Sequence, residues 1–247
     1  MRRDRGPENN EPVRGKRRSL WRRIRRWMLR GLVVVLLLPP VLIVVYAVVP
    51  PVSTLMLDRY VRFLWVDRTY VPLEAISPHL IRSVVASEDA KFCEHGGIDW
   101  EALGSQIEAL GEGEDVRGAS TITMQVAKNL FLWTDRSYVR KALELPLALL
   151  IDAMLSKKRI LEIYLNVAEW GEGIFGAEAA AQAWYGKTAL ALGRREAARL
   201  ATALPAPLAR NPASPGPGHA RLARVNRARA ADIAPHLGCL PGFAASQ

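Results

Sequence analysis

Two isolated carboxylates and the cations between them are the residues of this chain best suited to chemistry. Glu88 continues the helical stripe of Ile81, Val84 and Val85 and so takes a seat where an apolar residue belongs. Partial burial there raises a carboxyl pKa and suits a general base or acid. Glu144 shares the run from Ala142 to Leu155 with only one other charge, Asp152, and follows Arg140 by one turn and Lys141 by three residues. It is therefore flanked by opposite charge, unlike Glu88, and unequal environments for two carboxylates are a mark of acid–base work on sugars or similar alcohols. Lys128, Arg136, Arg140, Lys141 and Lys157 fall in the same central stretch. If they converge, they form a site for phosphate or pyrophosphate, whose charge such groups stabilise. The bland reading keeps Glu88 as an exposed helix-end acid, Glu144 as the i,i+4 partner of Arg140 and the lysines as wet surface. Composition alone does not choose between the two.

Helices must position these groups. Ser77 and Pro78 form a favoured start pair for the helix that ends at Glu88. Trp100, Leu103, Ile107 and Leu110 have helix-like spacing, and a mobile loop is expected from there to Gly118. Small and hydroxyl residues at 118–121 predict a helix beginning near Ser120, its positive end facing whatever lies there. A helix over 137–155 is apolar on all sides and is expected to be buried, with Pro146 as a candidate kink beside Glu144. Further helices are read at 157–167, at 177–185 ended by Gly186, and at 195–204 ended by Pro205 and Pro207. Residues 211–218 read as a linker to an Arg-rich helix at 220–233, whose arginines suit a solvated face.

The 247 residues carry a net charge of +10 with a mean hydropathy of +0.03. Residues 1–30 hold 12 of the 34 Lys and Arg against three acids, so nearly the whole excess sits in one terminal run. Nucleic-acid binding by a folded basic face is thereby disfavoured. Residues 31–49 contain no charge and are long enough to cross a bilayer as a helix, with Pro39 and Pro40 predicting a kink. No convincing signal-peptidase site follows, so the segment reads as an uncleaved anchor. The arginines on its N-terminal flank put 1–30 in the cytoplasm and the rest outside the inner membrane. The layout is a basic tail (1–30), a transmembrane helix (31–49), a juxtamembrane connector with β-favouring stretches (50–75), a catalytic domain (76–235) and a C-terminal tail (236–247). Cys93 and Cys239 allow either a disulfide or two free thiols, and no zinc-ligand spacing is present.

Four segments in order, EDAKFCEHGG at 88–97, GASTITMQVAKNLFLW at 118–133, RKALE at 140–144 and KKRILEIYLN at 157–166, resemble successive motifs of the bacterial peptidoglycan glycosyltransferases. A weaker fifth match is EAARLATALPAP at 196–207. The resemblance covers about residues 65–215 and is closest to the monofunctional biosynthetic transglycosylases of glycosyltransferase family 51. After residue 235 too little chain remains for the transpeptidase domain of the bifunctional penicillin-binding relatives.

The resemblance implies a mainly α, lysozyme-like, two-lobed domain behind one N-terminal transmembrane helix. It implies polymerisation of lipid II, the undecaprenyl-pyrophosphoryl disaccharide-pentapeptide, into glycan strands at the periplasmic face of the inner membrane, beside wall-synthesis or division proteins. Glu88 would deprotonate the acceptor 4-hydroxyl. Glu144 would support the donor site, positioning cations or a divalent metal, Mg or Mn, at the leaving pyrophosphate; no organic cofactor is expected. Lys128, Arg136 and Arg140 would contact pyrophosphate, with Ser120, Thr121, Gln125 and Asn129 lining the donor side. Asp89, Phe92, His95, Lys141, Lys157, Tyr164 and Asn166 would support. Met124 departs from the pattern, many relatives having a second Gln there, which puts one donor contact in doubt. The stretch 98–118 matches a region bordering cleft and membrane, so Trp100, Leu103, Ile107 and Leu110 are either an interfacial face or core. A lytic transglycosylase or muramidase would share the essential Glu without needing the cations. An inactive wall-synthesis scaffold would tolerate its loss.

Overall fold

The structure, a computed structural model, describes residues 14–112, 118, 120–135 and 137–244. The chain divides into two compact units, residues 1–42 and 43–247. A single helix, α1 (Arg14–Tyr46), accounts for the described part of the first and runs into the second. Its 26 residues Trp21–Tyr46 are long and apolar enough to cross a membrane. The uncharged stretch expected at 31–49 lies largely within this helix, which extends N-terminally through the arginines and ends at Tyr46. Pro39 and Pro40 lie inside the helix without ending it.

In the second unit α2 (Thr54–Val61) forms within the connector expected at 50–75. Ser53 caps it by accepting from the Met56 amide, and the Met56 side chain is fully buried. Then follow α3 (Pro78–Glu88), α4 (Trp100–Gly111), α5 (Ile122–Phe131), α6 (Tyr138–Met154), α7 (Lys157–Val167), α8 (Ala177–Tyr185), α9 (Arg194–Ala203), α10 (Pro217–Asp232) and the short α11 (Pro241–Ala244). The starts match the sequence signals: Ser77 caps α3 with Pro78 in its first turn, Thr121 caps α5, and α8 stops at Gly186 in the left-handed conformation. A small sheet went unread in the sequence. In it β1 (Asp67–Arg68) pairs parallel with β3 (Ile174–Phe175), which pairs antiparallel with β2 (Glu169–Gly171). Strands of two or three residues are too short to show an alternating pattern.

Two helix groups carry the unit. Helices α3, α9 and α10 pack on one another, and α5 packs on α6, α7 and α2. Ile81, Val84 and Val85 are fully buried in the first group, as their stripe requires.

Three expectations are corrected. First, α6 is not buried on all sides: it buries Glu144, Ala148 and Ile151, whereas Tyr138, Val139, Leu143 and Leu149 stay exposed. Its apolar composition exceeds what one protein-facing stripe can absorb. Second, α10 begins at Pro217, inside the expected linker, because Pro is well placed in a helix's first turn. Third, the C-terminal tail belongs to the core: Leu237 and Leu240 are buried, and Cys239 is bonded to Cys93 across 146 residues with Cα atoms 5.4 Å apart. The pairing that the sequence left open is a disulfide.

Candidate active site

Glu88 ends α3 facing the other helix group. Its Oε2 accepts from Gln125 Nε2 at 3.1 Å, and Gln125 Oε1 accepts in turn from the Tyr164 hydroxyl at 3.0 Å. Gln125 stands on α5 and buried Tyr164 on α7, so a phenol fixes the amide and the amide fixes the carboxylate. Oε1 of Glu88 is buried with no hydrogen-bond partner among the described residues. Burial pushes the Glu88 pKa up, while hydrogen bonds from Gln125 and Ser87 and the charges of Lys128 and Arg210 pull against it. Met124 is wholly buried in the core, so the doubtful contact at that position falls on the neighbour of the amide that holds Glu88.

The loop after Glu88 is pinned from several sides. Asp89 takes the His95 ring at 2.9 Å on one oxygen and the Ile122 amide at 3.0 Å on the other, completing the cap of α5. Thr121 donates to the Gly97 carbonyl at 2.6 Å. Gly97 has φ +86°, and a Cβ there would meet the Ala148 carbonyl oxygen at 2.8 Å, so only glycine lets the loop press against α6. Lys157 donates to the His95 carbonyl at 2.7 Å, pairs with Asp152 at 2.7 Å and lies 4.8 Å from the buried Phe92 ring. Asp89, Phe92, His95 and Lys157 thus hold the loop.

The cations gather around Glu144, which is 3% exposed. Arg140 pairs with one of its oxygens and Lys141 with the other at 3.1 Å; Lys141 also reaches Ser120 Oγ at 2.5 Å. Arg140 donates further to the Asp135 carbonyl. Among the described residues no hydrogen bond or ion pair holds the Lys128 ammonium. Burial lowers its pKa, and it feels the charges of Glu144, Arg140, Lys141 and Glu88. Arg136 lies outside the described residues. A cavity of about 450 Å³ is lined by Glu88, Asp89, Ser120 and Thr121 among others.

Asn129 and Asn166 make contacts with residues outside the cluster. Asn129 offers its backbone carbonyl to Thr54 at 3.2 Å, tying α5 to α2. Asn166 is buried away from the cleft, bonded to both backbone groups of Val71 and to the Glu162 carbonyl. Beside it lies a network missed in the sequence. Glu162 accepts from Tyr70 (2.8 Å), the Leu73 amide (2.9 Å) and Arg159. Arg159 also donates to the carbonyls of Tyr46 and Val49, both at 2.9 Å, and so holds the chain leaving α1 against α7. The available signal was a charged i,i+3 pair, Arg159 and Glu162, beside the apolar stripe of α7.

A divalent metal is the group expected at Glu144. Both of its oxygens are occupied by cations, and among the described residues no three His, Cys, Asp or Glu side chains converge. The arrangement suits an anion and does not fit a protein-held divalent ion.

Comparison with known proteins agrees with the geometry. A family model described as Transglycosylase matches residues 57–231. A biosynthetic peptidoglycan transglycosylase of Brucella suis is 52% identical over 214 residues, covering 86% of this chain and 96% of the relative. One from Mesorhizobium japonicum is 51% identical over 225 residues (89% and 95%), and one from Rhodopseudomonas palustris 58% over 186 residues (74% and 79%).

Proposed function

Because the chain belongs to the transglycosylase family, we propose that the cleft around Glu88 and Glu144 is where it joins the sugars of lipid II into glycan strands. It is a peptidoglycan glycosyltransferase of cell-wall synthesis. The observation that carries the site assignment is Lys128, a half-buried ammonium that no hydrogen bond or ion pair holds among the described residues and that lies within electrostatic reach of both Glu88 and Glu144. It links a proton acceptor to a cluster built for an anion.

In this reading the acceptor's 4-hydroxyl hydrogen-bonds to Glu88, whose unpartnered Oε1 is free to take the proton. As the proton moves, the hydroxyl oxygen bonds to the donor's anomeric carbon. The bond from that carbon to the pyrophosphate oxygen breaks, and its electron pair leaves with the pyrophosphate. Lys128, Arg140 and Lys141 receive that charge. Glu144 holds Arg140 and Lys141 in place and offsets the repulsion among three cations. A raised pKa on Glu88 suits it to accept a proton at neutral pH. A lytic enzyme would also need an essential Glu, but the cation cluster would then have no leaving group to stabilise.

The anchor helix α1 places the unit beside a lipid-borne substrate, with its basic end cytoplasmic and the catalytic unit on the periplasmic face of the inner membrane. Wall-synthesis or division proteins are its expected neighbours there. The test is polymerisation of labelled lipid II by the detergent-purified chain with a divalent cation present. Wild type should yield glycan chains, Glu88→Gln none and Glu144→Gln few. Folded wild type that gives no polymer but digests purified wall would replace the reading with a lytic one.

A further inference from the structure

The cavity holding Glu88, Ser120 and Thr121 shares Ala86, Ser87 and Arg229 with a larger one of about 1090 Å³ that the reaction described above leaves unused. The larger cavity lies among the ends of α3 and α9, the segment 205–218 and the length of α10 from Pro217 to Arg229. Its chemistry is one-sided: Arg210, Arg221 and Arg229 line it and no carboxylate does. Arg210 is near enough for its charge to act on Glu88. The start of α10 adds to this. Its N-cap is Gly216, with no side-chain cap and no acid in the first turn, so the positive helix end stands about one turn from Arg221, while Arg229 lines the cavity from the last turn of the same helix.

A second, independent feature asks for the opposite kind of partner. Asn226 is 4% exposed and lines the same cavity; its Nδ2 donates to the Ser83 carbonyl at 2.9 Å, but its Oδ1 is buried without a hydrogen-bond partner among the described residues. An orphaned buried acceptor is costly unless something supplies an N–H or O–H. A ligand that satisfies the whole cavity must therefore bring anionic groups for the arginines and helix start, and hydrogen-bond donors for Asn226. Inorganic phosphate pairs charge with an O–H but is too small to reach arginines about two helical turns apart, a neutral sugar lacks the charge, and a peptide with free carboxylates has charge, donors and length.

We propose that this cavity is a subsite for an anionic peptide, namely the stem peptide of the sugar that presents its hydroxyl to Glu88. The assignment rests on the proposed function, since only a peptide-bearing sugar would place a peptide next to that base. It makes peptide binding a source of acceptor positioning, separate from the pyrophosphate contacts around Glu144.

The experiment is calorimetric titration of the detergent-purified full chain with a soluble disaccharide-pentapeptide lacking lipid and pyrophosphate, with the same disaccharide without peptide, and with the free pentapeptide. The Arg221→Ser/Arg229→Ser double variant is run beside wild type. Both arginines are exposed, so the variant should melt as wild type does. The peptide-bearing disaccharide should bind wild type, and the double variant about tenfold more weakly, the order expected for losing charge-assisted hydrogen bonds. In lipid II polymerisation the variant should raise KM several-fold and leave kcat nearly unchanged. Equal binding with and without the peptide, or equal binding by wild type and variant, would overturn the subsite while wild-type polymerisation left the function standing. Wild type that makes no polymer would overturn both.

Discussion

The Nε2 of Gln125 donates to Oε2 of Glu88 at 3.1 Å, so the proposed base is oriented from α5, a helix of the other group. The bond favours the ionised carboxylate and opposes the burial that raises its pKa. Replacing Gln125 by Leu removes the opposing influence, and the acid limb of the kcat/KM profile for lipid II should move to higher pH. Tyr164→Phe acts one step removed, by freeing the amide, and should shift the limb less in the same direction. Profiles that stay in place while rates fall would mean that Gln125 contacts substrate and does not tune the base.

Burial of Glu88 also predicts a stability effect. Its pKa in the folded chain lies above the ordinary value of 4.5, so above that pH the folded state binds more protons than the unfolded state. The stability this group contributes is present at low pH and is lost as pH rises through the folded pKa. Glu88→Gln cannot ionise, so it should melt above wild type at pH 7, and the gap should close in acid, as functional groups held in unfavourable surroundings commonly show. Thermal scans of both proteins at several pH values test this; a variant less stable at pH 7 would show that ionised Glu88 supports the fold.

The disulfide joins the loop that carries Asp89 and His95 to the C-terminal segment, closing a span of 146 residues. A bridge across so long a span typically stabilises by about 2–4 kcal/mol. The Cys93→Ser/Cys239→Ser variant should melt well below wild type and lose activity at lower temperature, and a reductant should bring wild type down to the variant without moving the variant further. Equal melting of all forms would mean that the loop is held by Thr121, Lys157 and Ile122 alone.

Much of the site was legible because it is written in local spacing. The stripe Ile81, Val84, Val85, Glu88 fixes which way Glu88 faces, and the i,i+3 and i,i+4 spacings put Lys141 and Arg140 on Glu144. What escaped is long-range. Nothing local pairs Cys93 with Cys239, sends Asn166 to the backbone of Val71, or directs Arg159 to the carbonyls of Tyr46 and Val49. The exposed side of α6 escaped for another reason: apolar composition reports avoidance of water and cannot say whether protein or lipid supplies the alternative.

That exposed apolar surface yields the last prediction. On α4, Trp100 and Ile107 are 60% and 62% exposed, two turns apart on one face, while Leu103 packs against the core; the side chain of Leu110 lies outside the described residues. The interfacial and core readings of this helix thus divide by residue. Tyr138, Val139 and Leu143 on α6 are exposed as well, on a chain with a helix long and apolar enough to cross a membrane. Apolar side chains so placed gain from entering the headgroup boundary. Trp100→Ser/Ile107→Ser should therefore melt close to wild type and bind lipid vesicles less, with slower polymerisation of lipid II embedded in a bilayer than of lipid II in detergent. Leu103→Ser should instead lower the melting temperature, since it removes core packing. Should the surface pair and Leu103 destabilise the fold alike, α4 is a packing element on both faces and the bilayer contact must be sought on α6.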